Sequence, residues 1–290
     1  MRGWTRALTG AALSAAVSLG ALTQAGAAQA DETAEPPTPK IIGGQPADQP
    51  YPFVGSLQYE RDGNPDHHGC GAALVDERWM VTAAHCVVTE GEGSDPYKLR
   101  DPDIFHVRLG SNDRTAGGTV VKLDDIVVHP DYVYYTDHEE GRDIALLKLD
   151  SPVDVEPVRL ERRIPRPGTE VRQVGWGYTS NDDTDDPANL PEELQQLDTT
   201  LLSPSDRRCQ VDENGDGSWG VRKGDVCTDN PDGVRGPCYG DSGSPLLRRV
   251  YGEWRVVGVN SRGVGAECGA LPDVYTSIGA HDRWITRVVR

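Results

Sequence analysis

The chain has 290 residues, and its 37% hydrophobic content is enough to build a packed core. Forty-six Asp and Glu against 29 Lys and Arg give a formal charge of −17, which argues against nucleic acid and anionic lipid as partners. Six cysteines, the first of them Cys70, suit an oxidising extracellular compartment.

The N-terminal segment reads as a targeting signal. Arg2 and Arg6 precede an apolar, Ala-rich stretch that ends in Ala28-Gln29-Ala30, a small-x-small cleavage pattern with the cut before Asp31. An uncleaved membrane anchor is the competing reading. The stretch is built from Ala, Gly, Ser and Thr rather than Leu, which favours the signal peptide and a secreted product. No other segment could span a bilayer. Residues 31–40 are polar, Pro-containing and too short to fold. One folded domain is expected over 41–290.

Beyond residue 40, short β-rich runs alternate with turn clusters. They cover Phe53–Gln58, Gly71–Ala84, Phe105–Leu109, Thr119–His129, Ile144–Leu149, Glu170–Trp176, Leu194–Leu202, Pro245–Arg249, Trp254–Asn260 and Asp273–Ser277. Only the end, Ala280–Val289, has a helical pattern. The chain is therefore all-β with a short C-terminal helix, and composition does not choose between sandwich and barrel. There is no internal repeat.

Chemistry concentrates in Cys238-Tyr239-Gly240-Asp241-Ser242-Gly243-Ser244-Pro245. One hydroxyl stands between glycines and after an acid, in a tight loop whose backbone N–H groups can face a developing oxyanion. A free serine is a weak nucleophile and needs a base. Val81-Thr82-Ala83-Ala84-His85-Cys86 offers an imidazole, and Asp143-Ile144-Ala145-Leu146-Leu147 offers a carboxylate entering a buried strand. Taken singly, His85 could be a core histidine, Asp143 a strand-start acid and Ser242 a turn residue. Together and in that order, His then Asp then Ser, they form a set that can pass a proton.

These three blocks resemble the catalytic blocks of the trypsin/chymotrypsin family of serine endopeptidases, and the resemblance runs from Ile41 to the C-terminus. It implies two antiparallel β-barrels, roughly 41–155 and 156–290, with the active site between them. Ser242 would be the nucleophile, His85 the general base and acid, and Asp143 the orienting carboxylate. The N–H groups of Gly240 and Ser242 would form the oxyanion hole. It also implies the disulfides Cys70–Cys86, Cys209–Cys227 and Cys238–Cys268, which the residues alone leave open. Lys40-Ile41-Ile42-Gly43-Gly44 is similar to the family's activation junction, where a cut after Lys40 would free an ammonium at Ile41 to pair with Asp241.

The expected specificity departs from trypsin itself. The position six residues before Ser242 holds Gly236 rather than an acid. Ser261 and Gly263 fall on one expected pocket wall, and Asp273 on the other, where many members have glycine. A mixed preference for Lys/Arg and for large apolar side chains follows, unless Asp273 turns outward. Arg262, where the family usually has an aromatic residue, could pair with Asp273 or with acidic substrate residues. Ser244 replaces a frequent glycine and should be tolerated.

Other signals are weaker. Asp212-Glu213-Asn214-Gly215-Asp216-Gly217 opens like an EF-hand loop, but Lys223 stands where the closing Glu belongs, so a surface turn is expected. Gly110-Ser111-Asn112-Asp113 lacks the glutamate of the family's calcium loop. His67-His68 reads as a solvated pair in a polar loop, and Ser180–Asn189 as a mobile acidic loop. No Cys-x-x-Cys or His-x-x-x-His cluster appears, so neither metal nor cofactor is expected. The expected partners are protein or peptide substrates and a protein protease inhibitor, with the chain itself a monomer. Two other readings compete. A silent binding protein on the same fold would usually lack a triad residue, and an esterase would usually carry Gly-x-Ser-x-Gly.

Overall fold

The computed structural model describes residues 41–290 except 94, 135–140, 183, 185 and 231. The signal segment, residues 31–40 and Lys40 itself lie outside the described residues.

Alternating apolar positions build the first barrel. In Phe105–Leu109 the residues Phe105, Val107 and Leu109 are buried while His106 and Arg108 are less so, the period of a strand with one face inward. Six strands close on one another in the order Val54–Arg61, Asn64–Asp76, Trp79–Thr82, Ala145–Leu149, Thr119–Val128, Phe105–Leu109. Every pairing in the ring is antiparallel. The run expected over Gly71–Ala84 is two strands of a hairpin, since the polar Asp76-Glu77-Arg78 turns the chain. Its end, Ala84–Cys86, is a short 3-10 turn.

The second half is an eight-stranded sheet. Its path runs Gln45–Pro46, Gln195–Thr200, Glu170–Gly175, Pro245–Val250, Glu253–Gly263, Asp273–Ser277, Asp225–Thr228. Arg159–Leu160 adds to Glu253–Gly263 in parallel, an exception to the antiparallel rule. The last strand of the path, Asp225–Thr228, meets the end of its second, Gln195–Thr200, so that Gln45–Pro46 is left outside the ring. Leu201 bridges Thr228, Leu202 N–H donates to Cys227 O at 2.8 Å, and Asp229 N–H donates to Thr200 O at 2.8 Å. This rolls the sheet into the second barrel of a chymotrypsin-like fold.

The halves of the sequence do not map cleanly onto the barrels. Gln45–Pro46, early in the chain, pairs with Gln195–Gln196 of the second barrel. The helix Ile278–Val289 buries Ile278, His281 and Ile285. Its His281 Nε2–H donates to Gly141 O at 2.8 Å, and its ring meets that of His129 at 4.9 Å, so the C-terminus is tied to the first barrel. Among the described residues, no helix is long and apolar enough to cross a membrane.

Candidate active site

His85 sits in the 3-10 turn after Trp79–Thr82, and the Cys70–Cys86 disulfide staples that turn to the neighbouring strand. Asp143 precedes Ala145–Leu149, the strand paired with Trp79–Thr82. The two therefore meet. His85 Nδ1–H donates to Asp143 Oδ2 at 2.7 Å, and the His85 backbone N–H donates to Oδ1 at 2.9 Å. With its proton on Nδ1, the imidazole presents Nε2 as an acceptor. The Ser261 hydroxyl donates to Asp143 Oδ2 at 2.8 Å. Burial alone would raise the Asp143 carboxyl. The His85 ring, its backbone N–H and the Ser261 hydroxyl outweigh it and hold the carboxyl below the usual range.

Ser242 lines the same cavity as His85, a cleft of about 490 Å³. Its loop is joined to the first barrel by Gly71 N–H donating to Ser242 O at 2.7 Å, and to the second by Gly243 N–H donating to Asn260 O at 2.8 Å. Gly243 has φ +74°, and a β-carbon there would lie 2.2 Å from Thr82 Oγ1, so only glycine fits. Gly240 has φ +95°. Neither the Gly240 nor the Ser242 N–H has a partner among the described residues. Both are free to meet an oxyanion.

Asp241 is buried beside Ser242. Its Oδ1 accepts from Gly177 N–H at 2.8 Å and its Oδ2 from Cys238 N–H at 2.9 Å. Burial nevertheless pushes its carboxyl up to about 6. Ile41 is fully buried, and Ile42 bridges Gly236, so the segment that follows Lys40 already runs along the loop that ends in Ser242.

The pocket wall brings Asp273 inward. A β-carbon at Gly236 would lie 2.7 Å from Asp273 Oδ2, and one at Gly263 would lie 3.7 Å from Oδ1. Asp273 is 5% exposed, lines the cleft, and its Oδ2 has no hydrogen-bond partner among the described residues. Burial, reinforced by the nearby Asp241 charge, pushes its carboxyl well above the usual range. Disulfides join Cys238 to Cys268 and Cys209 to Cys227, the former linking the Ser242 loop to the opposite wall of the cleft.

Three expectations need correction. Arg262 does not pair with Asp273. Its Nη2 meets Asp225 Oδ2 at 2.6 Å, a buried acid that carries no motif in the sequence. His67 and His68 are buried in the strand Asn64–Asp76 rather than solvated in a loop. His68 Nδ1 accepts from the Ser56 hydroxyl at 2.7 Å, and its Nε2–H donates to Gly240 O at 2.9 Å. Burial holds that imidazole down to about 3, so it stays neutral and braces the loop that carries Ser242. Asn181, in the acidic segment, is bonded to Cys268 through both its amide atoms, so this part of the segment is anchored. The Asp212 segment is a turn as expected: Asp212 Oδ1 accepts from Asn214 N–H and Asp216 N–H.

An ionised carboxylate on an imidazole, a serine in the same cleft, and two unspent N–H groups beside it describe a serine peptidase on a two-barrel fold. Residues 41–285 match the Trypsin family profile, and the chain belongs to that family of serine endopeptidases. It is similar to Trypsin II-P29 of Gallus gallus, 31% identical over 257 residues that span 86% of this chain and 89% of that protein.

Proposed function

We propose that the chain is a secreted endopeptidase made as a zymogen, with residues 1–30 a signal peptide and 31–40 an activation segment. Ser242 Oγ attacks the scissile carbonyl while His85 Nε2 takes its proton. The Gly240 and Ser242 N–H groups receive the oxyanion. His85 then returns the proton to the leaving amine, the acyl-enzyme forms, and water repeats the steps to release the acid. Asp143 holds the imidazole in the tautomer this requires. Cutting after Lys40 places an ammonium at Ile41, which pairs with the otherwise uncompensated Asp241 carboxyl and fixes the loop.

The primary pocket takes both Lys/Arg and large apolar side chains. The position of Asp273 carries this reading: its carboxyl stands where a β-carbon at Gly236 would be crowded, and its Oδ2 lacks a partner. A neutral Asp273 leaves room for an apolar group, and a cationic group draws out its ionised form. Gly236, Ser261 and Gly263 supply the rest of the pocket. Profiling the cut enzyme on a peptide library tests it. Wild type should accept Lys, Arg, Phe, Tyr and Leu, and Asp273→Gly should lose Lys and Arg cleavage by at least about tenfold, the scale of a charge-assisted bond. Unchanged Lys and Arg cleavage in Asp273→Gly would refute the mixed pocket.

A further inference from the structure

The strand Glu253–Gly263 breaks register with Asp273–Ser277 between Asn260 and Arg262, leaving Ser261 as the extra residue of a bulge. In a regular strand, neighbouring side chains point to opposite faces. The bulge instead lets Ser261 and Arg262 meet: Arg262 Nη1 donates to Ser261 Oγ at 2.9 Å. Both side chains are buried.

From these contacts we infer that Arg262, anchored by Asp225, is a positioning residue for the triad and acts through Ser261. The inference rests on the triad assignment above. Arginine has donors only and serine has one hydroxyl proton. Since Ser261 Oγ accepts from Arg262, its proton is committed to Asp143 Oδ2, 2.8 Å away. A donor behind a hydroxyl also strengthens the bond that the hydroxyl gives. The same Asp143 oxygen receives His85 Nδ1–H at 2.7 Å, so the chain Arg262, Ser261, Asp143, His85 is continuous and has one direction.

The guanidinium is held from every side. Nη2 donates to Asp225 Oδ2 at 2.6 Å and to Gly220 O at 3.0 Å, and Nε donates to Trp219 O at 3.1 Å. Asp225 Oδ2 also accepts from Arg222 N–H at 2.9 Å. A buried ion pair contributes little stability beyond what a well-packed apolar pair would supply. Its placement against Ser261 gives it another use, to hold the orienting carboxylate ionised and aimed while His85 gains and loses its proton.

A double-mutant cycle on active-site-titrated cut enzyme tests this. Asp225→Leu/Arg262→Met removes the ion pair without stranding either charge, so the variant keeps a route to folding. With a small ester substrate it should lower kcat about fivefold, the worth of one ordinary hydrogen bond, and leave KM within about twofold. The downfield Nδ1–H resonance of His85 should move. In a Ser261→Ala background the same pair of substitutions should have no further effect on kcat, because its route to Asp143 is gone. An unlabelled Ser242 in the parent enzyme would overturn the triad assignment and this inference together. With a labelled parent, an unchanged kcat in Asp225→Leu/Arg262→Met, or losses that add to that of Ser261→Ala, would overturn this inference alone.

Discussion

At the scale of single residues, the site contains carboxyls that differ by environment. Asp143 receives three hydrogen bonds and is held ionised, while Asp273 is equally buried, lacks a partner at Oδ2 and is pushed upward. The Asp273 shift predicts a pH-dependent selectivity. A raised carboxyl gains its charge only as pH climbs through its elevated value, and a cationic side chain binds the charged form best. The ratio of kcat/KM for Lys over Phe substrates should therefore rise with pH in wild type and stay flat in Asp273→Asn. A flat wild-type ratio would show that Asp273 does not face the substrate. The contact of His85 with Asp143, and Ser242 in the same cleft, could be anticipated from the sequence because each residue sits within a short local motif. The Asp225–Arg262 pair could not be, because its partners stand 37 residues apart and only the fold brings them together.

At the scale of elements, the loop that leads to Ser242 and the segment after Lys40 form one unit. Ile42 bridges Gly236, and Gly236 N–H donates to Ile42 O at 3.0 Å. Asp241 is the titrating group of this unit. Its folded value of about 6 lies above the ordinary 3.8, so the uncut fold binds that proton more tightly than the unfolded chain. The stability of the uncut form should then fall as pH rises from about 4 to about 6, by roughly 3 kcal/mol from this group. The proposed pairing with an ammonium at Ile41 would reverse the effect. In Ser242→Ala protein, the difference in Tm between cut and uncut forms should widen over that interval, other titrations cancelling. A constant difference would disprove the pairing. Strands with clear alternation, such as Phe105–Leu109, were readable to the residue. Asp225–Thr228 escaped because four consecutive buried residues show no period, and His67-His68 misled because polar side chains in a strand look like a loop until their hydrogen bonds are seen.

At the scale of the whole molecule, two barrels enclose a cleft whose lining includes Asp212, Asp216, Glu267 and Asp273. Three disulfides serve it differently. Cys209–Cys227 closes a loop of 18 residues that carries Trp219, Gly220 and Asp225, the partners of Arg262, whereas Cys238–Cys268 closes one of 30 and braces the pocket. Cys209→Ala/Cys227→Ala should lower stability by about 2–4 kcal/mol in urea, and should lower kcat/KM by no more than the roughly fivefold expected when Arg262 loses its hold on Ser261. Cys238→Ala/Cys268→Ala should depress kcat/KM for Lys and Phe substrates alike. Equal kinetic losses in both pairs would mean that the bridges act on stability alone. The all-β class came from the pattern of runs. The choice of barrels came from the resemblance, because closure depends on contacts such as Leu201 with Thr228, which no periodicity encodes.

The claim on which everything else depends is that Ser242 is an activated nucleophile. Treating the protein cut after Lys40 with a phosphonylating reagent selective for active-site serines tests it directly. The label should appear on Ser242, abolish peptide hydrolysis and be absent in Ser242→Ala. An unlabelled Ser242 in folded, cut protein would contradict the account.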